Sequence, residues 1–376
     1  MVTFMKNHKK MTTALGTSLL LFLLLLVILL VSSCGKKKES GKEQAEKNTT
    51  TTTTATEPEN TIPEGYVKSD ISGTYISPEM AENRPIAVMF NNTKVAVPQS
   101  GISQADVIYE APMEGGDVRL MGIFQDYSNL EKIGSVRSAR TYFIAFMLEY
   151  DAIFAHYGKA WTCEYLLNES FVNNMDGTAG EGSTVYYRTS DRKAPHNAYT
   201  STERLLAGIE KKGYTSTHKA DYKDHFQFTE ENSPNLLNDG VDAVYVKPGY
   251  AVNKSWFEYD AQTGLYKRFQ FGGAHIDEMN GEQLTCKNII IQYAPNTIYD
   301  GSEYLNINVW DGGSGKYITN GKAIDITWKK DSQYGATRYY DASGKEIQLN
   351  PGKTWVSLCQ TSRQDQTVIS GEIPSN

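Results

Sequence analysis

The amino-acid sequence predicts an α+β protein: a mixed α/β domain followed by a β-rich hairpin domain, behind a signal peptide and a disordered tether. Three observations predict it. Residues 141–150 form an apolar run of helix length, and short apolar strands surround it. From Val241 onward, short alternating strands are separated by Gly, Asp, Asn and Ser turns, with no helical pattern. Ahead of both lies a long apolar segment ending at Cys34, then a stretch rich in Thr, Lys and Glu.

Residues 1–11 carry Lys6, Lys9 and Lys10 and no acid, the positive start of an export signal. An apolar core follows and closes on Val31-Ser32-Ser33-Cys34-Gly35. An aliphatic residue, two small residues and a cysteine form a lipobox, so residues 1–33 read as a lipoprotein signal peptide. Cys34 is then the lipid attachment site, carrying palmitate-like acyl chains. A single chain holds a membrane only marginally, so two or three acyl groups are implied. Residues 34–69 have almost nothing apolar to bury and cannot offset their ordering entropy, which makes them a disordered tether.

Within the body, residues 70–232 form the mixed α/β domain. Residues 85–90, 105–110, 118–124 and 152–157 read as strands. The run at 141–150 is apolar all round and suits a buried helix. A shorter helix is expected near 160–168. Another starts at Thr200, with Glu203 completing a capping box, and stops at Gly213. Residues 233–362 form the β-rich domain, with hairpins at 256–269 and 336–349 and further strands at 288–293 and 304–310, and residues 363–376 are a tail. The string Asp311-Gly312-Gly313-Ser314-Gly315-Lys316 fails phosphate-loop spacing and lies between strands, so it reads as a Gly-rich turn.

The net charge of −7 becomes −10 once residues 1–33 are removed, because they carry three lysines and no acid. A mildly acidic ectodomain is a poor nonspecific binder of nucleic acid. Three cysteines remain in the body, Cys163, Cys286 and Cys359, so at most one disulfide can form. The six histidines are scattered, and no spacing suggests a metal or cofactor.

Many short strings agree in order with one family. Arg84-Pro85-Ile86-Ala87-Val88-Met89, Pro98-Gln99-Ser100-Gly101, Val136-Arg137-Ser138-Ala139-Arg140, Arg192-Lys193-Ala194-Pro195-His196-Asn197 and Asn350-Pro351-Gly352-Lys353-Thr354-Trp355 are among them. Over residues 72–360 the chain resembles the YerB-like lipoproteins. The resemblance implies two consecutive domains of unknown function, exported as a lipoprotein, with no agreed catalytic residues.

The chain has ten arginines, and five of them fall between residues 119 and 192: Arg119, Arg137, Arg140, Arg188 and Arg192. Guanidinium groups suit bidentate recognition of carboxylate or phosphate. Arg137 and Arg140 lie just before the buried helix, whose N-terminus adds free N–H groups and positive potential. This points to a pocket for an anionic group of a glycan, teichoic acid or peptide stem. Structural ion pairs with Glu110, Glu114, Asp117, Asp151 and Asp191 are the competing explanation. His156 and His196, with Glu110 or Asp191 beside them, would be a general base and its orienting carboxylate. Asn197 adjoins His196. No nucleophile elbow accompanies them. Tyr334, Tyr339 and Trp355 are candidates for a sugar-stacking surface.

The leading expectation is a noncatalytic lipoprotein on the outer face of the cytoplasmic membrane. It would bind an anionic cell-wall polymer or an envelope protein through an Arg-lined cleft. A cell-wall hydrolase or transferase using His156 and His196 is the alternative. A transporter's solute-binding subunit ranks third, because the second half has no helices from which to build a second α/β lobe.

Overall fold

A strand that is apolar at every position needs cover on both of its faces. In the computed structural model, which describes residues 64–375, Ile86–Phe90 is such a strand and all five residues are fully buried. Cys34, the signal peptide and most of the tether lie outside the described residues. Among the described residues no helix is long and apolar enough to cross a membrane.

The strand belongs to an eleven-stranded sheet that runs through both halves of the body. In space the order is Val241–Asp242, Lys322–Lys330, Gly313–Thr319, Asn288–Ala294, Thr354–Gln360, Val107–Pro112, Val118–Phe124, Ile86–Phe90, Ile153–His156 and Asn174–Asp176. Thr337–Tyr340 pairs with Lys322–Lys330. The first half is thus mixed α/β and the second is built of hairpins, as the sequence predicts. The join is Thr354–Gln360, which lies parallel to Asn288–Ala294 on one side and to Val107–Pro112 on the other.

Alternation along each strand divides the core into two layers. Ala87, Met89, Tyr109 and Val356 face helix Thr141–Leu148, which is buried along seven of its eight residues. Ile86, Val88, Phe90, Ile108 and Trp355 face the other way. There they meet Leu205 and Ile209 of helix Thr202–Lys212, and Phe257 and Tyr266 of a six-stranded sheet built on Trp256–Asp260 and Leu265–Gln270. The cap of helix Thr202–Lys212 falls one residue later than expected. Thr200 ends a strand and donates its hydroxyl to Val185 O at 2.7 Å, so Ser201 accepts from the Arg204 N–H instead.

The Gly-rich string is the start of strand Gly313–Thr319. A Cβ on Gly315 would lie 2.5 Å from Ile291 O, so the glycine permits close approach of the neighbouring strand.

Two buried carboxylates tie the layers together. Glu110 accepts from Arg268 Nη2 at 2.6 Å, Trp355 Nε1 at 3.0 Å and Ser255 Oγ at 3.3 Å. Glu149, just past helix Thr141–Leu148, accepts from His225 Nε2 and Lys330 Nζ, and from the N–H and hydroxyl of Thr337 at 3.0 and 2.8 Å. Burial alone would raise the Glu149 pKa; Lys330 and then His225 overcome it and hold the carboxyl at about 2.

That depression has a sign. The ordinary value is 4.5 and the folded value about 2, so Glu149 contributes stability above the former and loses it as pH falls toward the latter. The loss is on the order of 3 kcal/mol, at 1.36 kcal/mol per unit. Chemical denaturation should therefore show stability falling between about pH 5 and pH 2, with a shallower slope in Glu149→Gln. An identical acid slope in that variant would assign the fall to other carboxylates.

Candidate anion-binding site

Residues 136–140 cross the carboxyl ends of the parallel strands Ile86–Phe90 and Ile153–His156. Arg137 N donates to Met89 O at 3.1 Å, and Arg137 O accepts from Tyr157 N at 3.0 Å. Carboxyl ends of parallel strands are where open sheets place ligands, because the loops leaving them diverge and open a crevice. Helix Thr141–Leu148 begins here with Arg140 as its N-cap. It has neither a side-chain cap nor an acid in its first turn.

Three guanidinium groups meet at this point. Arg140 forms a bidentate pair with Glu114, Nε to Oε1 and Nη2 to Oε2, both at 2.8 Å, and lies 5.0 Å over the Tyr304 ring. Arg119, from strand Val118–Phe124, donates Nη1 to Ser138 O at 2.7 Å. Arg137 is half-buried, and its Nε is buried without a hydrogen-bond partner. Glu114 is committed to Arg140, which leaves Arg119 to face Arg140 and Arg137, and Arg137 to face Arg140 and Arg188.

The electrostatics follow. Arg119 is pushed down to about 9, first by burial, then by Arg140 and Arg137. Arg137 is lowered by burial, then by Arg140 and Arg188. Arg140 is raised, because its bonds to Glu114 outweigh burial. His196 is lowered by burial and then by Arg137 and Arg192. An anion placed between Arg119 and Arg137 would relieve both. It would also supply an acceptor to the unpartnered Nε.

The remaining predicted residues divide. Arg188 donates to Asn197 Oδ1 at 2.7 Å and lies 4.6 Å over the Tyr157 ring. Asn197 in turn donates to Thr189 O at 2.7 Å. His196 Nδ1 accepts from Asn91 Nδ2 at 2.8 Å. Arg192 is used structurally, donating to Ala96 O, Pro98 O and the Tyr199 hydroxyl at 2.9–3.0 Å. Asp191 is exposed, lies 4.0 Å from Arg192, and is lowered in pKa first by a hydrogen bond from Thr189.

Glu110 and His156 lie away from any ligand-accessible surface. Both are fully buried. His156 Nδ1 bonds Gly158 O at 2.8 Å and Nε2 bonds Asn174 Oδ1 at 3.2 Å. Burial lowers its pKa against the opposing pull of Asp176, which is 4.0 Å away. The expected pairing of these histidines with Glu110 or Asp191 is not what the chain forms. Tyr339 and Trp355 are core residues rather than surface rings. Cys163, Cys286 and Cys359 are all free and buried. Among the described residues, no group of three or more His, Cys, Asp or Glu is placed to hold a metal.

A second concavity of about 530 Å³ opens at the other end of helix Thr141–Leu148, one helix length or ~12 Å away. Glu149, Asp151, Phe171, Lys219, Tyr334 and Arg338 are among its lining residues. Sequence reasoning missed it. Its walls come from the first half, from the segment after helix Thr202–Lys212 and from a turn near residue 334, with no local signal that they meet.

The N-terminal domain profile of a protein family of unknown function, DUF3048, matches residues 71–215, and the C-terminal domain profile matches residues 244–356. A Bacillus subtilis (strain 168) protein named YerB, described provisionally as a lipoprotein, is 31% identical over 302 residues, covering 78% of this chain and 86% of the relative. The crystal structure of the YerB protein from Bacillus subtilis is similar at a TM-score of 0.71 and 29% identity, covering 81% of this chain and 99% of that one.

Unpaired like charges held together at a site lower stability. Arg137→Met should therefore raise it by ~1 kcal/mol, or about 2–4 °C in thermal midpoint at low salt, with the gain shrinking as salt screens the repulsion. Arg140→Met should lower the midpoint, because it leaves Glu114 without its partner. A thermal melt in which Arg137→Met is the less stable protein would make Arg137 a packing residue.

Proposed function

The chain belongs to the DUF3048 family, and from that premise we propose that it is a lipid-anchored extracytoplasmic lipoprotein. In this reading it binds an anionic component of the cell envelope through Arg119, Arg137 and Arg140. The lipoprotein part is supported by the lipobox ending at Cys34 and by the name of the Bacillus subtilis relative. The binding part rests on one observation: the buried Arg137 Nε has no partner, beside an Arg119 that burial and neighbouring arginines already depress. A protein gains nothing in stability from such an arrangement, whereas a phosphate or carboxylate ligand gains two charge-assisted donors. The uncapped start of helix Thr141–Leu148 adds positive potential at the same point.

Two measurements test the two parts. Full-length wild-type protein should fractionate with the membrane and Cys34→Ser should not; equal membrane recovery of both would remove the anchor from Cys34. In detergent, the full-length protein should pellet with purified cell wall. Loss of one charged hydrogen-bonding group costs ~1.5–3 kcal/mol, so Arg137→Ala should bind roughly 10- to 100-fold more weakly, at an unchanged or higher thermal midpoint. Salt should weaken the wild type as well. Equal pelleting of wild type and Arg137→Ala would sink the arginine site.

A further inference from the structure

The arginine site leaves a row of aromatic rings unused. Trp161 and Tyr165, at 59% and 61% exposure, are the most exposed aromatic side chains among the described residues. They stand on residues 161–167, and helix Thr141–Leu148 touches both that segment and strand Leu305–Ile307. The Trp161 ring meets Tyr299 edge-on at 6.1 Å, and Phe171 meets Tyr334 at 5.2 Å. Tyr165 stands one turn after Trp161 on the same segment, within electrostatic reach of Tyr299 and Tyr334. At one end Tyr304 lies under Arg140, and at the other Phe171 and Tyr334 line the 530 Å³ concavity. The row therefore runs the length of the buried helix, from the arginines to the second cleft.

We propose that this row is a saccharide-binding strip. Uncharged sugar rings of a linear polysaccharide stack on Trp161, Tyr165 and Tyr299, and an anionic substituent of the same polymer reaches Arg137 and Arg119. The strip rests on the arginine reading only for that substituent. Exposed flat rings in a row mark an interaction surface rather than core, and the charge at their margin selects the partner. Glu164, Glu169, Asp300 and Glu303 are exposed along the row, while residues 161–171 and 296–307 contain no Lys or Arg. Carboxylates accept hydrogen bonds from sugar hydroxyls. These acids disfavour anionic groups along the strip itself and leave the arginine end as the place for the substituent. An anionic bilayer, which draws basic margins, is disfavoured along the whole strip.

The test uses the full-length chain reconstituted in phosphatidylglycerol vesicles and titrated calorimetrically with two oligosaccharides. One is a neutral β-1,4-linked N-acetylglucosamine tetramer; the other is the same tetramer with a lactyl carboxylate on alternate rings. Both should bind, the carboxylated one more tightly. Trp161→Ala/Tyr165→Ala, a change at exposed positions, should weaken both by about tenfold or more. Arg137→Ala should bind the neutral tetramer as the wild type does and lose the extra affinity for the carboxylated one. If the extra affinity survives in Arg137→Ala, the arginine reading fails while the strip stands. Unchanged affinities in the aromatic double variant, or no saturable heat with either tetramer, overturn the strip. So does quenching by bilayer-embedded brominated lipid that disappears in Trp161→Phe, since the strip would then face the membrane.

Discussion

The rest of the structure depends on the Glu110 carboxylate. A charge with no exposure to solvent is tolerable only when donors surround it, and losing one partner of such a pair costs ~3–5 kcal/mol. Its donors come from two places far apart in the chain: Ser255 and Arg268 of one hairpin in the smaller sheet, and Trp355 of the central strand. Arg268 is further held between the rings of Phe257 and Trp355, at 4.8 and 4.6 Å. Satisfying Glu110 therefore fixes how the smaller sheet lies on the larger one and sets the register of Thr354–Gln360 beside Val107–Pro112. The strand paired next, Val118–Phe124, carries Arg119. The position of the arginine site is a consequence of that register.

Helix Thr141–Leu148 then acts as a spacer between two polar ends. Its amino end carries an unbalanced positive cluster. Its carboxyl end carries Glu149, which is balanced completely by Lys330, His225 and Thr337. The contrast is one of charge: Glu149 is surrounded by donors, two of them from Lys330 and His225, whereas Arg137 faces Arg140 and Arg188 and keeps an unused donor.

Much of the architecture was legible locally. The apolar run at 141–150, which is helical over Thr141–Leu148, the hairpin of Trp256–Asp260 with Leu265–Gln270, and Gly213 as a helix stop each follow from short-range chemistry. The arginine cluster was legible because scarce arginines concentrate in one part of the sequence. Partnerships were not. Glu110 and His156 look like site residues in a linear reading because a charged or titratable residue beside an apolar strand reads as an outlier. Only the fold reveals that Arg268 and Asn174 satisfy them. The aromatics misled for the opposite reason. Tyr339 and Trp355 alternate in strands and turn inward, while Trp161 and Tyr165, one turn apart on a short helical segment, turn outward.

The placement of Thr354–Gln360 also orders events in time. It is the last long strand of the chain, yet it fills the middle of the sheet, between strands Val107–Pro112 and Asn288–Ala294. Until it arrives, each neighbour presents a bare edge whose backbone groups invite mispairing. Chains emerge amino end first, so nearly the whole polypeptide must be delivered before the sheet can close, and closure joins residues widely separated in sequence. The first half is thus committed to waiting for residues 354–360. The sheet cannot be finished in instalments, and those two edges stay bare until Thr354–Gln360 slots between them.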